Sequence, residues 1–345
     1  KAYLECNIKS DVFRVRINEP VSYHEFEGVD VTTGTLDALN KMIENNNYKT
    51  IMVHFLDSKM WESLSKFSET HKIIVWVHGA EIQAWHRRAF NYDTESEREK
   101  AKKQYAERAK FWVELIENLP KNLHFVFVSQ HFADEVMVDL DVNIPRDQFS
   151  VINNPINTKV FNYMQKNAEM RKKILSIRPY ASKTYANDLT VKAILELSKE
   201  SFFKELEFRL IGNGPLFDEI LEPLTGFKNV IIEKKFMTHQ QIADLHKQYG
   251  VFLCPSRMDT QGVSRDEAMS SGLVPITNKV GAIPEFLDEF KFLLSEPEDY
   301  KGLADKLKEL YYNPDLYCEL SKKMSDSVNS RSSEIIVSQE VCLIV

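Results

Sequence analysis

Two kinds of hydrophobic pattern alternate along the chain. Short runs rich in β-branched and aromatic residues recur at 12–17, 50–55, 72–77, 124–128, 150–152, 173–177, 207–211, 229–232, 251–254 and 273–276, the lengths expected of strands. Between them, at 35–45, 95–117, 190–199, 239–248 and 300–310, apolar positions repeat every three to four residues, which predicts amphipathic helices. Many strand runs are apolar at consecutive positions, so both of their faces are covered. Strands of that kind alternating with helices form parallel sheets layered by helices, an α/β fold. The 345 residues exceed the roughly 100–200 of one domain, so two α/β domains are expected.

The segment Asn153-Asn154-Pro155-Ile156-Asn157 follows a short strand and carries turn chemistry. It is the expected hinge, with a first domain at 1–155 and a second at 156–325. Residues 326–345 form a tail expected to dock as a helix on the first domain. The chain opens on a helix-like stretch at 1–5 and then a strand, whereas an α/β domain usually opens strand, turn, helix. The first strand and its loop are therefore expected to be missing. No internal repeat is visible.

Glycine adds an asymmetry. Gly212, Gly214, Gly226, Gly250, Gly262, Gly272 and Gly281 crowd one region of the second half, while Gly28, Gly34 and Gly79 are alone in the first. Glycine turns between strand and helix let backbone approach a phosphate, which puts a nucleotide on the second domain.

Composition and charge narrow the class. Hydrophobic residues are 43% and charged residues 28% of the chain, as in a folded globular protein. Apolar runs such as 73–77 are far shorter than the roughly 20 residues that cross a bilayer. Forty-four Lys and Arg against 51 Asp and Glu give a net charge of -7, which argues against nucleic-acid binding. The segment 95–110 mixes both signs, and no one-sided basic stripe exists, so membrane contact is expected to be at most peripheral. Cys6, Cys254, Cys318 and Cys342 are far apart, without a CxxC pair. That is neither a zinc nor a disulfide framework and suits the cytoplasm.

The densest chemistry lies between Pro255 and Gly272. A buried strand runs into a loop with Gly262, and a helix then starts near Ser264. Free amides and the positive helix end face a sheet edge there, where anions bind. Two acids bracket the loop, Asp259 and Glu267. Ser264-x-x-Glu267 is by itself a capping box, in which Glu267 would merely hold the Ser264 amide. Upstream, Arg178 ends a strand and Lys183 follows, a fork and a point charge suited to polyphosphate. Gly212-Asn-Gly214 follows another strand but lacks the third glycine of a dinucleotide fingerprint. Asp139-Leu-Asp141 ends a helix-like stretch and is not read as a metal site. His124 and His131 lack partners at ligand spacing, and His54 is read as packing.

The order Arg178-x4-Lys183, Gly212-Asn-Gly-Pro215, Pro255-Ser256, Asp259-x7-Glu267-Ala-Met-x-x-Gly272 and Glu285 resembles the retaining GT-B glycosyltransferases of family 4. Val151-Ile-Asn-Asn-Pro-Ile-Asn-Thr-Lys-Val-Phe161 is similar to their interdomain segment, and His78-Gly79 to the His-Gly of their first domain. The resemblance implies a GT-B fold, two Rossmann-like α/β domains with parallel sheets facing across a cleft. It implies an enzyme moving a sugar from a nucleoside-diphosphate sugar, a UDP- or GDP-sugar, to a hydroxyl of a glycan or lipid-linked glycan. The implied setting is bacterial surface polysaccharide synthesis, in the cytoplasm or at the inner face of the membrane.

Site residues carry over by position. Arg178 and Lys183 would neutralise the diphosphate, and Glu267 would hold the ribose. Asp259 and the amides of Gly262 and Val263 would face the sugar and its phosphate, with the Gly212–Gly214 turn beside them. Lys235, Phe236 and Met237 would meet the base, and His78 the transferred sugar. Glu81, Arg87 and Arg88 would lie on the acceptor side. No metal or cofactor is called for. Two departures from the family pattern stand out: Asp259 replaces a glutamate, and Thr184 a glycine. The alternatives are a non-catalytic glycan- or nucleotide-binding GT-B module, or a sugar-nucleotide hydrolase or epimerase using Glu81 and Asp259.

Overall fold

The structure is a computed structural model that describes residues 2–16, 19–26 and 28–345. The chain forms two compact units, the first from Lys1–Trp85, Glu99–Asn153 and Glu334–Val345, the second from His86–Arg98 and Asn154–Ser333. The short segment His86–Arg98 thus leaves the first unit in sequence but belongs to the second in space, which no composition change announces.

The first unit opens with strands β1 (Val12–Val15), β2 (Ser22–Phe26) and β3 (Val29–Gly34), in the order β1-β3-β2. The strand expected at 12–17 stops at Val15, and its last expected residue, Ile17, lies outside the described residues; of the helix-like stretch expected at 1–5, Ala2–Glu5 is helical and Lys1 lies outside the described residues. The β2–β3 hairpin was not legible, because every residue of β2 is exposed and no buried face imposes a period. Strands β4 (Thr50–His54), β5 (Lys72–Val77), β6 (Leu123–Phe127) and β7 (Phe149–Val151) form a second sheet, parallel throughout. Alternate residues of β5 and β6 serve opposite faces. Ile73, Val75, Phe125 and Phe127 pack with Trp112 on one side. Ile74, Trp76 and Val126 pack on the other with Ile336 and Ile344 of the C-terminal helix Ser333–Ile344. That helix ends against the sheet, where Thr50 Oγ1 donates to the Ile344 carbonyl at 3.1 Å and Lys72 Nζ to that of Leu343.

The second unit is a six-stranded parallel sheet of β8 (Lys173–Ile177), β9 (Glu207–Gly212), β10 (Val230–Lys234), β11 (Val251–Leu253), β12 (Val274–Asn278) and β13 (Leu294–Ser295). Its spatial order is β10-β9-β8-β11-β12-β13, the doubly wound 3-2-1-4-5-6 arrangement. Helices Asn187–Leu197 and Tyr300–Tyr312 cover it, burying Leu189, Ile194, Leu303 and Leu310 in the larger core. Chain order reverses between β8 and β11, the place where such sheets bind ligands beyond their carboxyl ends. Among the described residues no helix is long and apolar enough to cross a membrane.

Candidate functional site

The loops after β8 and β11 meet at that reversal. Arg178 follows β8 directly, is only 6% exposed, and donates from Nη1 to Ser264 Oγ at 3.0 Å. Its guanidinium lies 5.0 Å from the centroid of the Tyr185 ring, and its buried Nε finds no partner among the described residues. Burying a guanidinium is unfavourable unless it is paired, so a half-satisfied Arg178 is a cation held ready for an anion.

Ser264 belongs to the helix Val263–Ser270, which runs out of the β11 loop. The alternative capping box of Ser264 and Glu267 is not formed. Gly262 is the N-cap, in the left-handed region at φ 90, and no side chain among the described residues caps the helix. Ser264 and Glu267 therefore both lie inside the helix, leaving the first amides uncapped beside Arg178. Burial, followed by the neighbouring Asp266 carboxylate, raises the Glu267 pKa to about 7. Asp259 is turned inward on its own loop, with Oδ1 accepting the Gln261 amide at 3.0 Å.

Glycines 212 and 214 hold the β8 loop rather than standing free. A Cβ on Gly212 would lie 2.0 Å from the Arg178 carbonyl oxygen, and one on Gly214 2.3 Å from the carbonyl carbon of Tyr180. The turn thus packs against the backbone that carries Arg178, a role in positioning the cation. Lys183 starts the 3-10 turn Lys183–Tyr185. Its ammonium pairs with Asp93, and its amide donates to Asn91 Oδ1 at 3.1 Å. Thr184, where the family pattern has glycine, accepts at its carbonyl from Ser256 Oγ at 3.1 Å and from the Arg257 amide at 2.8 Å. Lys235 donates its amide to Gly212 and its ammonium to Glu233, both at 2.9 Å. Phe236 is 87% exposed, and Met237 packs on the core beneath.

In the first unit, His78 and Gly79 follow β5. The Glu81 carboxylate accepts both of their amides, at 2.6 and 3.0 Å, so it braces the turn. Arg87 and Arg88 lie in the turn Trp85–Asn91 and belong to the second unit. Glu81 belongs to the first unit. Asp139-Leu-Asp141 closes the helix Gln130–Leu140, with Asp141 left-handed. Among the described residues no three His, Cys, Asp or Glu side chains are grouped to hold a metal ion.

Three features escaped the sequence. His54 is hydrogen-bonded to His78, Nδ1 to Nε2 at 2.9 Å. Arg257 clamps Asp188 and Glu298 with bonds of 2.7 to 2.9 Å. Asp266, fully buried, binds Arg265 through Oδ1 (2.8 and 3.1 Å) and Arg331 through Oδ2 (3.1 Å). The available signal for the last was Arg265-Asp266 standing between Val263 and Ala268-Met269 in a buried helix.

A doubly wound sheet with a cation and an uncapped helix start at its switch point is the arrangement of a Rossmann-like α/β domain. Residues 171–313 match the family described as glycosyl transferases group 1. The chain is 26% identical over 174 residues to the sulfoquinovosyl transferase SQD2 of Arabidopsis thaliana, covering 48% of this chain and 34% of that protein. It is 31% identical over 135 residues to the N-acetyl-alpha-D-glucosaminyl L-malate synthase of Bacillus anthracis, covering 38% and 35% respectively. The match thus spans about a third of each of these relatives' length. The sucrose-phosphate synthase of Thermosynechococcus elongatus superposes with a TM-score of 0.77 at 16% identity, over 99% of this chain and 90% of that one. This likeness concerns the fold, which is GT-B.

Proposed function

We propose that this chain transfers a sugar from a nucleoside-diphosphate sugar to a hydroxyl of a glycan acceptor, with retention at the anomeric carbon. The observation that carries the reading is the buried Arg178, bonded to Ser264 beside the uncapped amides of Val263–Ser270, at the switch point of a doubly wound sheet. In the transfer the sugar–phosphate bond breaks and negative charge grows on the departing diphosphate. The preplaced Arg178 guanidinium and a helix terminus meet that charge without reorganising, and they need neither a metal nor a cofactor to do so. Arg178 supplies the fork. Lys183 supplies the second cation once it leaves Asp93.

Glu267 takes the ribose hydroxyls, and the amides of Gly262 and Val263 take the phosphate oxygens. Asp259 and His78 serve the transferred sugar, in line with the family pattern. Lys235, Phe236 and Met237 meet the base, with the exposed Phe236 ring as a stacking surface. Glu81, Arg87 and Arg88 serve the acceptor. The setting is synthesis of a surface polysaccharide, with a lipid-linked glycan at the inner membrane face as acceptor.

The test is a thermal-shift panel of UDP, GDP, ADP and CDP on the wild type and Glu267→Ala. A ligand at about 100 times its Kd adds roughly 2.7 kcal/mol. One nucleotide stabilising the wild type and not the variant supports the donor site, and no shift with any of them overturns it. Product analysis with that sugar nucleotide and a glycan acceptor then reads the anomeric configuration. A second reading, binding without transfer, is favoured by Asp259, whose carboxylate is committed to the Gln261 amide. It requires nucleotide binding with no turnover, unchanged by Asp259→Glu.

A further inference from the structure

The parallel pairing of β4 and β5 sets His54 opposite Trp76. His78, two residues beyond Trp76, therefore emerges on the same face of the sheet as His54. The nitrogen contact of 2.9 Å, with ring centroids 5.1 Å apart and planes 25° from parallel, puts the two imidazoles edge to edge and nearly coplanar. That is hydrogen-bond geometry, not a face-to-face stack. The face of His78 is covered instead by Phe55, whose ring is 4.4 Å away and tilted by 27°. Phe55 sits there at φ 58, in a left-handed conformation that is unfavourable for a phenylalanine. Behind the pair, Trp76 stacks on His54 at 5.2 Å, and Glu81 holds the His78 amide. Ring edge, ring face and backbone of His78 are thus each restrained by a different group.

We propose that His54 is the positioning residue of His78, fixing its tautomer through the Nδ1–Nε2 hydrogen bond and so deciding whether His78 Nδ1 offers a donor or an acceptor. A neutral imidazole carries one proton on one of two nitrogens. If His54 Nδ1 donates, His78 Nε2 is bare and Nδ1 must carry the proton. If His78 Nε2 donates, its Nδ1 is an acceptor. Both rings are neutral at neutral pH: burial lowers both pKa values, that of His54 to about 4 with help from His78. An isolated imidazole would exchange between the two forms on its own, whereas in the pair the tautomer of His78 is tied to that of His54, so that the preference of His54 decides which partner a sugar hydroxyl would meet. This assignment rests on the proposed role of His78 toward the transferred sugar.

The experiment is side-chain 15N NMR of the whole chain labelled at its 9 histidines, with His78 assigned from His78→Gln. The expected wild-type result is one dominant His78 tautomer and a scalar coupling across the hydrogen bond to His54. His54→Phe keeps a ring but loses the bond, and the His78 tautomer ratio should then change several-fold, with His54→Asn restoring it. Identical His78 tautomers in wild type and His54→Phe overturn the proposal. Should His54→Phe fail to fold, absence of the coupling in the wild type overturns it equally. Titration with UDP-glucose and GDP-mannose, against UDP and GDP alone, tests the underlying reading separately. A His78 signal that ignores all four while remaining coupled to His54 removes the sugar-facing role and leaves the positioning intact.

Discussion

Arg178 and Ser264 lie 86 residues apart in sequence and are joined by a 3.0 Å hydrogen bond from Nη1 to Oγ. One bond thereby connects the end of β8 to the start of the helix after β11, across the place where the strand order reverses. The pair concentrates positive potential, since the helix terminus and the guanidinium both repel cations and attract anions.

Removing that cation should weaken nucleotide binding without unfolding the chain. Hydrogen bonds to charged groups are worth about 1.5–3 kcal/mol. Arg178→Ala should therefore raise the Kd of the preferred nucleoside diphosphate roughly 10- to 100-fold by calorimetry. Arg178→Lys should recover only part, because an ammonium lacks the fork. An unchanged Kd in Arg178→Ala would remove Arg178 from the donor site.

The glycine turn should reveal itself as a positioning device. A Cβ on Gly212 would meet backbone at 2.0 Å, whereas a Cβ on Gly226 would meet nothing within 4 Å. Overpacking of this kind costs about 1–3 kcal/mol. Gly212→Ala should lower the Tm by several degrees and weaken nucleotide binding together, because the obstruction falls on the Arg178 carbonyl. Gly226→Ala should leave both unchanged. Loss of Tm in Gly212→Ala with full binding would show that the turn does not hold Arg178 in place.

Periodicity made the two parallel sheets legible, because β5, β6, β8 and β11 are buried on both faces and leave continuous apolar runs. It failed at β2, which buries nothing. In the second unit, Arg178 and Gly262 were found because strand ends and glycine turns punctuate sequence locally. Partnership across space leaves no such mark. The Asp93 carboxylate on Lys183, 90 residues away, and the His54–His78 pair arise from topology. The capping-box alternative at Ser264-x-x-Glu267 fails for a related reason: a left-handed Gly262 starts the helix early and moves both residues inside it.

Glu267 should give stability and binding opposite pH dependences. Its pKa rises from 4.5 to about 7 on folding, chiefly through burial and then through Asp266. The folded state therefore holds a proton that the unfolded state releases. This contribution is fully present below pH 4.5 and is lost as pH rises through about 7, a difference of roughly 3 kcal/mol. Ribose hydroxyls, by contrast, prefer the carboxylate as acceptor, so nucleotide affinity should rise over the same interval. Glu267→Gln should flatten both slopes between about pH 4.5 and 7.5, read by denaturation and calorimetry. A wild-type stability slope that persists in Glu267→Gln would assign the titration elsewhere.

The buried Asp266 should be among the residues on which the second unit depends most. It faces two guanidiniums, of Arg265 and Arg331, which also lie 5.3 and 5.4 Å from the Phe286 ring. Arg265 Nη1 and Arg331 Nη2 are already buried without partners among the described residues, so the network carries excess positive charge. Breaking a buried ion pair by removing one partner costs about 3–5 kcal/mol, because the remaining charge is left uncompensated. Asp266→Asn should therefore lower the Tm by about 6–20 °C for a unit of this size. Replacing all three at once, by Asp266→Leu, Arg265→Met and Arg331→Met, should recover most of that loss, since an apolar triad of similar volume needs no compensation. Equal destabilisation by the single and the triple replacement would mean that packing, not charge, is what Asp266 supplies.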